Sequence, residues 1–270
     1  MYQTIEIQHA GAMAVLWMNR PEVHNVFNAQ VIAELTSACQ ALDVDEMVRV
    51  VILAGRGKSF SAGADLNWMQ AAGEASVEEN REDAYRLAVM LRTLAQMRKP
   101  TIARVQGAAM GGGLGLVSAC DMAIAASNAV FATSEVRLGL APATISPYVI
   151  RAIGERQAYR YFQTAERISA DRALQIGLVH EVVDLVELDG CIAALARALL
   201  QGGPQAQAAS KALIRGVAHQ PISDTLLNDT AQCIADLRAT AEGREGLAAF
   251  LEKRSPAWVR DLEEGAPHVS

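Results

Sequence analysis

A chain of 270 residues, about half of them apolar and a fifth charged, is long enough to bury a sizeable core. The formal net charge of -6 gives no general attraction for nucleic acid or for an anionic membrane surface. The four cysteines form no zinc-binding pattern, no apolar run reaches membrane-spanning length, and the first residues lack the features of a secretory signal. We therefore expect a cytoplasmic protein with no metal site, no nucleic-acid partner and no membrane segment.

Strand patterns open the chain and lead to a helix. Alternating apolar residues predict strands over residues 3–8 and 13–18, and a polar, Pro-containing loop follows. A helix with one apolar face is predicted from about Asn28. Four residues form this face: Ile32, Leu35, Cys39 and Leu42.

The next segment continues the alternation of strands and helices. Residues 48–55 and 101–107 predict buried strands. Between them, Ser76 and Glu79 have the spacing of a capping box, which predicts the start of a helix. The stretch AAMGGGLGLVSACD, residues 108–121, predicts a turn followed by a helix.

Only helical patterns remain beyond about residue 195. We therefore divide the chain into a core over residues 1–195 and a helical C-terminal region over residues 196–270. Strands that alternate with helices predict a layered α/β core. The C-terminal helices cannot bury their own apolar faces, so we expect them to pack on the core or on a neighbouring subunit.

Two glycine-containing turns resemble nucleotide-binding loops but have the wrong spacing. A P-loop ending at Gly57 would need a glycine five positions earlier, where Ile52 stands. A dinucleotide fingerprint beginning at Gly111 and Gly113 would need its third glycine at Leu116. Glycines at the start of a helix can instead present backbone N–H groups to a developing negative charge.

A second strand-to-helix turn, FSAGADL at residues 60–66, also has small residues that let a ligand approach the backbone. Two such turns could place one N–H each around a single carbonyl oxygen, as in an oxyanion hole. An enolate mechanism also needs a proton donor and acceptor near the α-carbon. Glu135 is the candidate, and the alternative is a surface carboxylate paired with Arg137.

Six segments, taken in order, resemble the enoyl-CoA hydratase/isomerase (crotonase) superfamily: NRPEVHNVFNA, GKSFSAGADL, KPTIARVQGAAMGGGLGL, CDMAIAASNAVFATSEVRLGLAP, RISADRALQIGLVHEVV and AAFLEKRSPAW. The resemblance runs through nearly the whole chain. It implies the ClpP/crotonase-like α/β fold, a spiral of ββα units with a helical C-terminal region that forms trimers, often paired into hexamers. It also implies an acyl-coenzyme A thioester substrate, with no metal and no separate cofactor.

The resemblance also implies site residues. The oxyanion hole falls on the backbone N–H groups of Ala64 and Gly112, and Glu135 is the catalytic carboxylate. The positions implied for substrate and coenzyme A binding are Arg20, Val23, Ala62, Gly63, Asp65, Leu66, Gly111, Phe250 and Lys253.

Hydratases of this family usually hold a water between two glutamates, and Gly115 stands at the position of the first. One interpretation keeps hydration, with Glu135 acting alone or with a water held by another side chain. The finer resemblance is to bacterial methylglutaconyl-CoA and isohexenylglutaconyl-CoA hydratases of leucine and acyclic terpene degradation. Their substrates carry a remote carboxylate, for which Arg81, Arg86 and Arg137 are candidate partners.

Two other interpretations stay open. An enoyl-CoA isomerase needs a single glutamate to move a proton between C2 and C4, and Glu135 suffices for that chemistry. A non-catalytic relative that binds acyl-CoA or RNA is the third, although the acidic balance and the lack of interleaved aromatic and basic residues disfavour RNA. We expect a hydro-lyase that adds water across the 2,3 double bond of an enoyl-CoA.

Overall fold

The computed structural model describes residues 2–259, and its strands form two sheets. The strands are β1 (Ile5–Ala10), β2 (Met13–Met18), β3 (Val50–Gly55), β4 (Thr101–Val105), β5 (Ala108–Met110), β6 (Met122–Ala126), β7 (Val130–Ala132), β8 (Ile168–Ser169) and β9 (Glu181–Val183). The larger sheet has the order β1-β2-β3-β4-β6-β9, and the smaller one has the order β5-β7-β8.

Helices connect and cover these strands. They are α1 (Ala29–Val44), α2 (Leu66–Glu74), α3 (Val77–Gln96), α4 (Gly112–Ala119), α5 (Ser146–Thr164), α6 (Ala170–Gln175), α7 (Leu188–Leu200), α8 (Pro204–Val217), α9 (Asp224–Ala239) and α10 (Ala241–Leu251). Two short 3₁₀ turns lie at Pro21–Val23 and Glu135–Leu138. Within residues 2–259, no helix is both long and apolar enough to cross a membrane.

The larger sheet is a buried layer between helices. β1 and β2 pair antiparallel, and from β2 to β9 every pair is parallel. β3 is buried at every residue, and its side chains alternate between two cores. Val51 and Leu53 belong to the core that includes α1, α3 and α4, whereas Val50 and Ile52 pack with residues of α7.

The N-terminal half agrees closely with the pattern-based prediction. Asn28 caps α1 by accepting a hydrogen bond from the Val31 N–H, and the four predicted face residues are buried. Ser76 and Glu79 form both hydrogen bonds of the capping box at the start of α3. Within residues 108–121 the predicted turn lies at Gly111 and the predicted helix is α4, whereas residues 108–110 form the short strand β5, which was not predicted.

The C-terminal helices differ in how far they are buried against the core. Among the described residues the last strand is β9, and the predicted boundary at residue 195 falls inside α7. Lys211 on α8 makes a 2.6 Å ion pair with Asp121, which fixes that helix to the core. By contrast, no residue of α9 is buried, and its apolar Leu227 and Ile234 are exposed.

Candidate active site

The turn after β3 leaves one backbone N–H free. Phe27 pairs with Ala64 in a parallel bridge, in which its N–H donates to Gly63 and its carbonyl accepts from Asp65. This pattern occupies the groups on either side of Ala64 and directs the Ala64 N–H away from Phe27. Within the described part of the chain, that N–H donates no hydrogen bond. Ala64 can therefore donate to a ligand, as an oxyanion hole requires.

The glycine turn before α4 leaves a second N–H free. Gly111 adopts φ +49°, which favours glycine, and its own N–H donates to the Ala132 carbonyl. Gly112 is the first residue of α4, where backbone N–H groups have no partner inside the helix. Its N–H has no acceptor among residues 2–259, and the helix dipole favours negative charge there.

The two turns lie against each other. Ser61 pairs with Ala109 of β5, through 2.9 Å hydrogen bonds to the neighbouring residues Ala108 and Met110. A Cβ added at Gly63 would lie 3.3 Å from the Met110 carbonyl oxygen. The structure therefore joins the turns that carry the Ala64 and Gly112 N–H groups, which the sequence separates by more than forty residues.

Close packing is a second reason, besides the backbone angles, why the second turn contains glycines. A Cβ at Gly112 would lie 2.4 Å from Cε2 of Phe27, and one at Gly113 would lie 2.7 Å from the Ser61 carbonyl oxygen. No side chain fits in either place without displacing buried atoms. Phe27 thus packs against the first residue of α4 while its backbone pairs beside Ala64.

Glu135 lies over the start of α4. Its Oε1 would be 3.2 Å from a Cβ added at Gly111, and its Oε2 is buried without a hydrogen-bond partner. Burial raises the pKa of this carboxyl above its ordinary value of 4.5. The described residues include no ion pair between Glu135 and Arg137, so the surface-pair alternative is wrong. A half-buried carboxylate with a raised pKa and no ion pair to a side chain among residues 2–259 is suited to acid–base chemistry.

The position at which the family resemblance places a first glutamate has no room for a side chain. Gly115 is buried, and a Cβ added there would lie 2.4 Å from Cγ2 of Ile145. Cδ2 of Leu91 is the next side-chain neighbour from another residue, at 3.6 Å. Ile145 was not identified from the sequence, because no local pattern shows that it packs on α4.

The predicted coenzyme A residues near the first turn lie in one region. Arg20 makes a 3.2 Å ion pair with Asp65 and donates to the Val26 carbonyl, which fixes the loop before α1 to the turn. Asp65 also caps α2, and the following Leu66 is 82% exposed. Arg20 and Asp65 help to line a cavity of about 420 Å³, whose other lining residues are Asn28, Ala29, Gln30, Asn67 and Trp68.

The remaining predicted residues divide into two groups. Val23 and Ala62 lie at the same junction, where the Ala62 N–H donates to the carbonyl of His24, the residue after Val23. Phe250 and Lys253 lie elsewhere, at the end of α10, and Phe250 is 81% exposed. Hydrogen bonds anchor α10 and the residues after it to positions 201–206, and the described contacts do not bring this pair to the turns.

Comparison with known proteins decides the family. The family model for enoyl-CoA hydratase/isomerase matches residues 8–261. The chain is 36% identical over 260 residues to the crotonyl-CoA hydratase of Syntrophomonas wolfei, covering 96% of this chain and 98% of that protein. The chain belongs to the enoyl-CoA hydratase/isomerase family.

Other relatives agree with this assignment. The short-chain-enoyl-CoA hydratase of Clostridium acetobutylicum is 35% identical over 92% of this chain and 94% of its own length. The crystal structure of an enoyl-CoA hydratase from Shewanella pealeana superposes with a TM-score of 0.93 at 42% identity, covering 95% of this chain and 96% of that one. The crotonase-like α/β fold expected from the sequence is confirmed, and the family acts on acyl-CoA thioesters.

We expect Glu135→Gln to raise the melting temperature at pH 8. Above the raised pKa of Glu135 the carboxyl is ionised in the folded and unfolded states, and the folded state carries the cost of burial. Below the ordinary value of 4.5 both states are protonated, so the gain should shrink as the pH falls through the raised pKa towards that value. Thermal melts at pH 8 and pH 5 measure the difference.

The matched control is Glu187→Gln, which changes an exposed carboxylate at the start of α7. It should leave the melting temperature unchanged at both pH values. A lower melting temperature for Glu135→Gln at pH 8 would show that the ionised carboxylate has a stabilising partner.

Proposed function

We propose that this family member is a hydro-lyase that adds water across the 2,3 double bond of an enoyl-CoA. The observation that carries the proposal is the position of Glu135, whose buried and unpartnered Oε2 accompanies an Oε1 placed over the start of α4. The free N–H of Gly112 begins the same helix. The hydratases named among the relatives support this reaction rather than another of the family.

In the proposed reaction, backbone N–H groups stabilise negative charge and one side chain transfers protons. The thioester oxygen accepts hydrogen bonds from the N–H groups of Ala64 and Gly112, which lowers the energy of the enolate. Glu135 takes a proton from water as the oxygen bonds to C3, and the same carboxyl returns a proton to C2. Loss of one such N–H donor costs on the order of 3 kcal/mol in other enzymes. A carboxyl pKa raised towards the working pH improves both proton transfers.

We further propose a branched glutaconyl thioester, such as 3-methylglutaconyl-CoA or isohexenylglutaconyl-CoA, as the substrate. Such an acyl group carries a carboxylate, which needs a cation or an N–H partner. Arg81 and Arg86 already face acidic neighbours on α3, at 3.8 Å and 2.7 Å. Arg137 has no side-chain partner among residues 2–259 and follows Glu135 by two positions, so it is the best candidate.

One observation favours enoyl-CoA isomerisation as the second candidate. Position 115 on α4 is a glycine, and Ile145 fills the space beside it. The helix α4 therefore supplies no second carboxylate at that position. A single Glu135 could move a proton from C4 to C2 of a 3-enoyl thioester without any water. The two reactions differ in product mass.

The Glu135→Gln variant tests the reaction. We expect it to lose at least ~100-fold in turnover and to keep its affinity for acyl-CoA, because a positioned acid–base group contributes 10²–10⁴-fold. Wild-type protein is incubated separately with 3-methylglutaconyl-CoA, crotonyl-CoA and a 3-enoyl-CoA, and products are followed by mass spectrometry and ultraviolet absorbance. The Glu187→Gln variant serves as the control and should behave as wild type.

Addition of one water to methylglutaconyl-CoA supports the proposal in full, and addition only to crotonyl-CoA removes the glutaconyl substrate. A shifted double bond at unchanged mass identifies an isomerase. Full activity of Glu135→Gln would remove this residue from the mechanism.

We also propose that the protein is a homotrimer, or a hexamer built from two trimers. The support is the amount of apolar surface that the single chain leaves uncovered on its C-terminal helices. Five exposed residues of α9 and α10 form this surface: Leu227, Ile234, Leu247, Phe250 and Leu251. A helix of sixteen residues with none buried, such as α9, needs a partner to cover its apolar positions.

Leu227→Glu combined with Ile234→Glu should separate the subunits, because carboxylates would be forced into the apolar contact. Sedimentation velocity measures the mass, which we expect to be three or six times that of one chain for the wild type. Asn228→Glu, an exposed position on the same helix, is the control for added charge and should keep the assembly. A monomeric wild type would overturn the proposed assembly.

A further inference from the structure

Glu135 and the buried Ile145 both approach the start of α4. Gly111 and Gly115 are one helical turn apart, and the Gly115 N–H donates to the Gly111 carbonyl at 3.0 Å. The carboxylate of Glu135 lies against Gly111, and the side chain of Ile145 lies against Gly115. Glu135 and Ile145 therefore approach the start of α4 at positions four residues apart, Gly111 just before the helix and Gly115 within it.

Ile145 is held firmly in this place. It is 1% exposed, and it precedes α5, where its carbonyl accepts hydrogen bonds from the N–H groups of Tyr148 and Val149. A Cβ at position 115 would approach its Cγ2 to 2.4 Å and its Cβ to 3.0 Å. The second distance involves an atom next to the backbone, so rotation of the side chain cannot remove the conflict.

We propose that Ile145 limits the site to one carboxylate, because its buried side chain fills the space that a side chain at position 115 would need. This inference rests on the proposed function. Any side chain at position 115 would need the volume that Ile145 occupies, so the two positions exclude each other. The water in the reaction is therefore oriented by Glu135 without a second carboxylate from α4.

The exclusion can be reversed by changing both positions. Gly115→Glu alone introduces a clash, whereas Gly115→Glu with Ile145→Gly has room for a second carboxylate. Glycine rather than alanine is needed at 145, because the Cβ of Ile145 is itself 3.0 Å from the added atom. The double variant Gly115→Gln with Ile145→Gly has nearly the same shape without the charge, and it is the matched control.

Thermal melts of the wild type, both single variants and the double variant measure the packing. We expect Gly115→Glu alone to melt at least about 5 °C below wild type, since overpacking a buried site is destabilising. Replacement of Ile145 by glycine in that background should recover most of the loss. This non-additivity is the sign of direct contact between the two positions. Equal melting temperatures for wild type and Gly115→Glu would overturn the proposal.

Hydration of crotonyl-CoA measures the chemical consequence. The Gly115→Glu, Ile145→Gly variant should exceed its Gln-containing control in kcat/KM by at least ~10-fold, because a second carboxylate can hold and deprotonate water. A merely structural role for Ile145 would affect both double variants equally. Equal rates for the two would therefore contradict the inference.

The outcomes separate this inference from the proposed function. If the wild type hydrates no enoyl-CoA, the proposed function fails, yet the thermal melts still decide whether Ile145 excludes a side chain at 115. If the wild type hydrates its substrate and the melts show simple additivity, the inference alone fails.

Discussion

Two backbone N–H groups that find no acceptor within residues 2–259, held at the junction of two turns, are the feature on which the rest of the site depends. The parallel bridges between Phe27 and Ala64 and between Ser61 and Ala109 place the turns together. The ring of Phe27 then packs so closely on Gly112 that no side chain fits there. Backbone donors cost no side-chain entropy to position, and they are fixed before the ligand arrives. Small residues in both turns follow from this requirement.

Glu135 completes the site at a cost to folding. Its Oε2 is buried without a partner, and burial raises the pKa of the carboxyl, so the ionised form is disfavoured in the folded protein. A group selected for stability alone would be paired or replaced by an amide. Ile145 fills the space beside Gly115 and excludes a side chain there. The start of α4 thus lies near a buried carboxylate at Gly111 and an isoleucine at Gly115.

Local patterns were enough to predict α1, the capping box at Ser76 and the two small-residue turns, because each depends on neighbours within a few positions. The contact between Gly115 and Ile145 was not predictable, since it joins residues thirty positions apart and leaves no periodic signal. The short strands β7 to β9 were missed for the same reason. Phe250 lies near the end of α10 and Lys253 follows that helix, whose hydrogen bonds run to residues 205 and 206, so their role in coenzyme A binding stays a prediction.

The central claim, that the Ala64 and Gly112 N–H groups polarise a thioester carbonyl, is tested most directly by isotope-edited infrared spectroscopy. Butyryl-CoA labelled with ¹³C at the carbonyl is a suitable probe, because it has no double bond to hydrate. Two N–H donors weaken the C=O bond, so the bound carbonyl band should lie at lower frequency than in water, in wild type and in Glu135→Gln alike. A bound band at the frequency found in water would contradict the account.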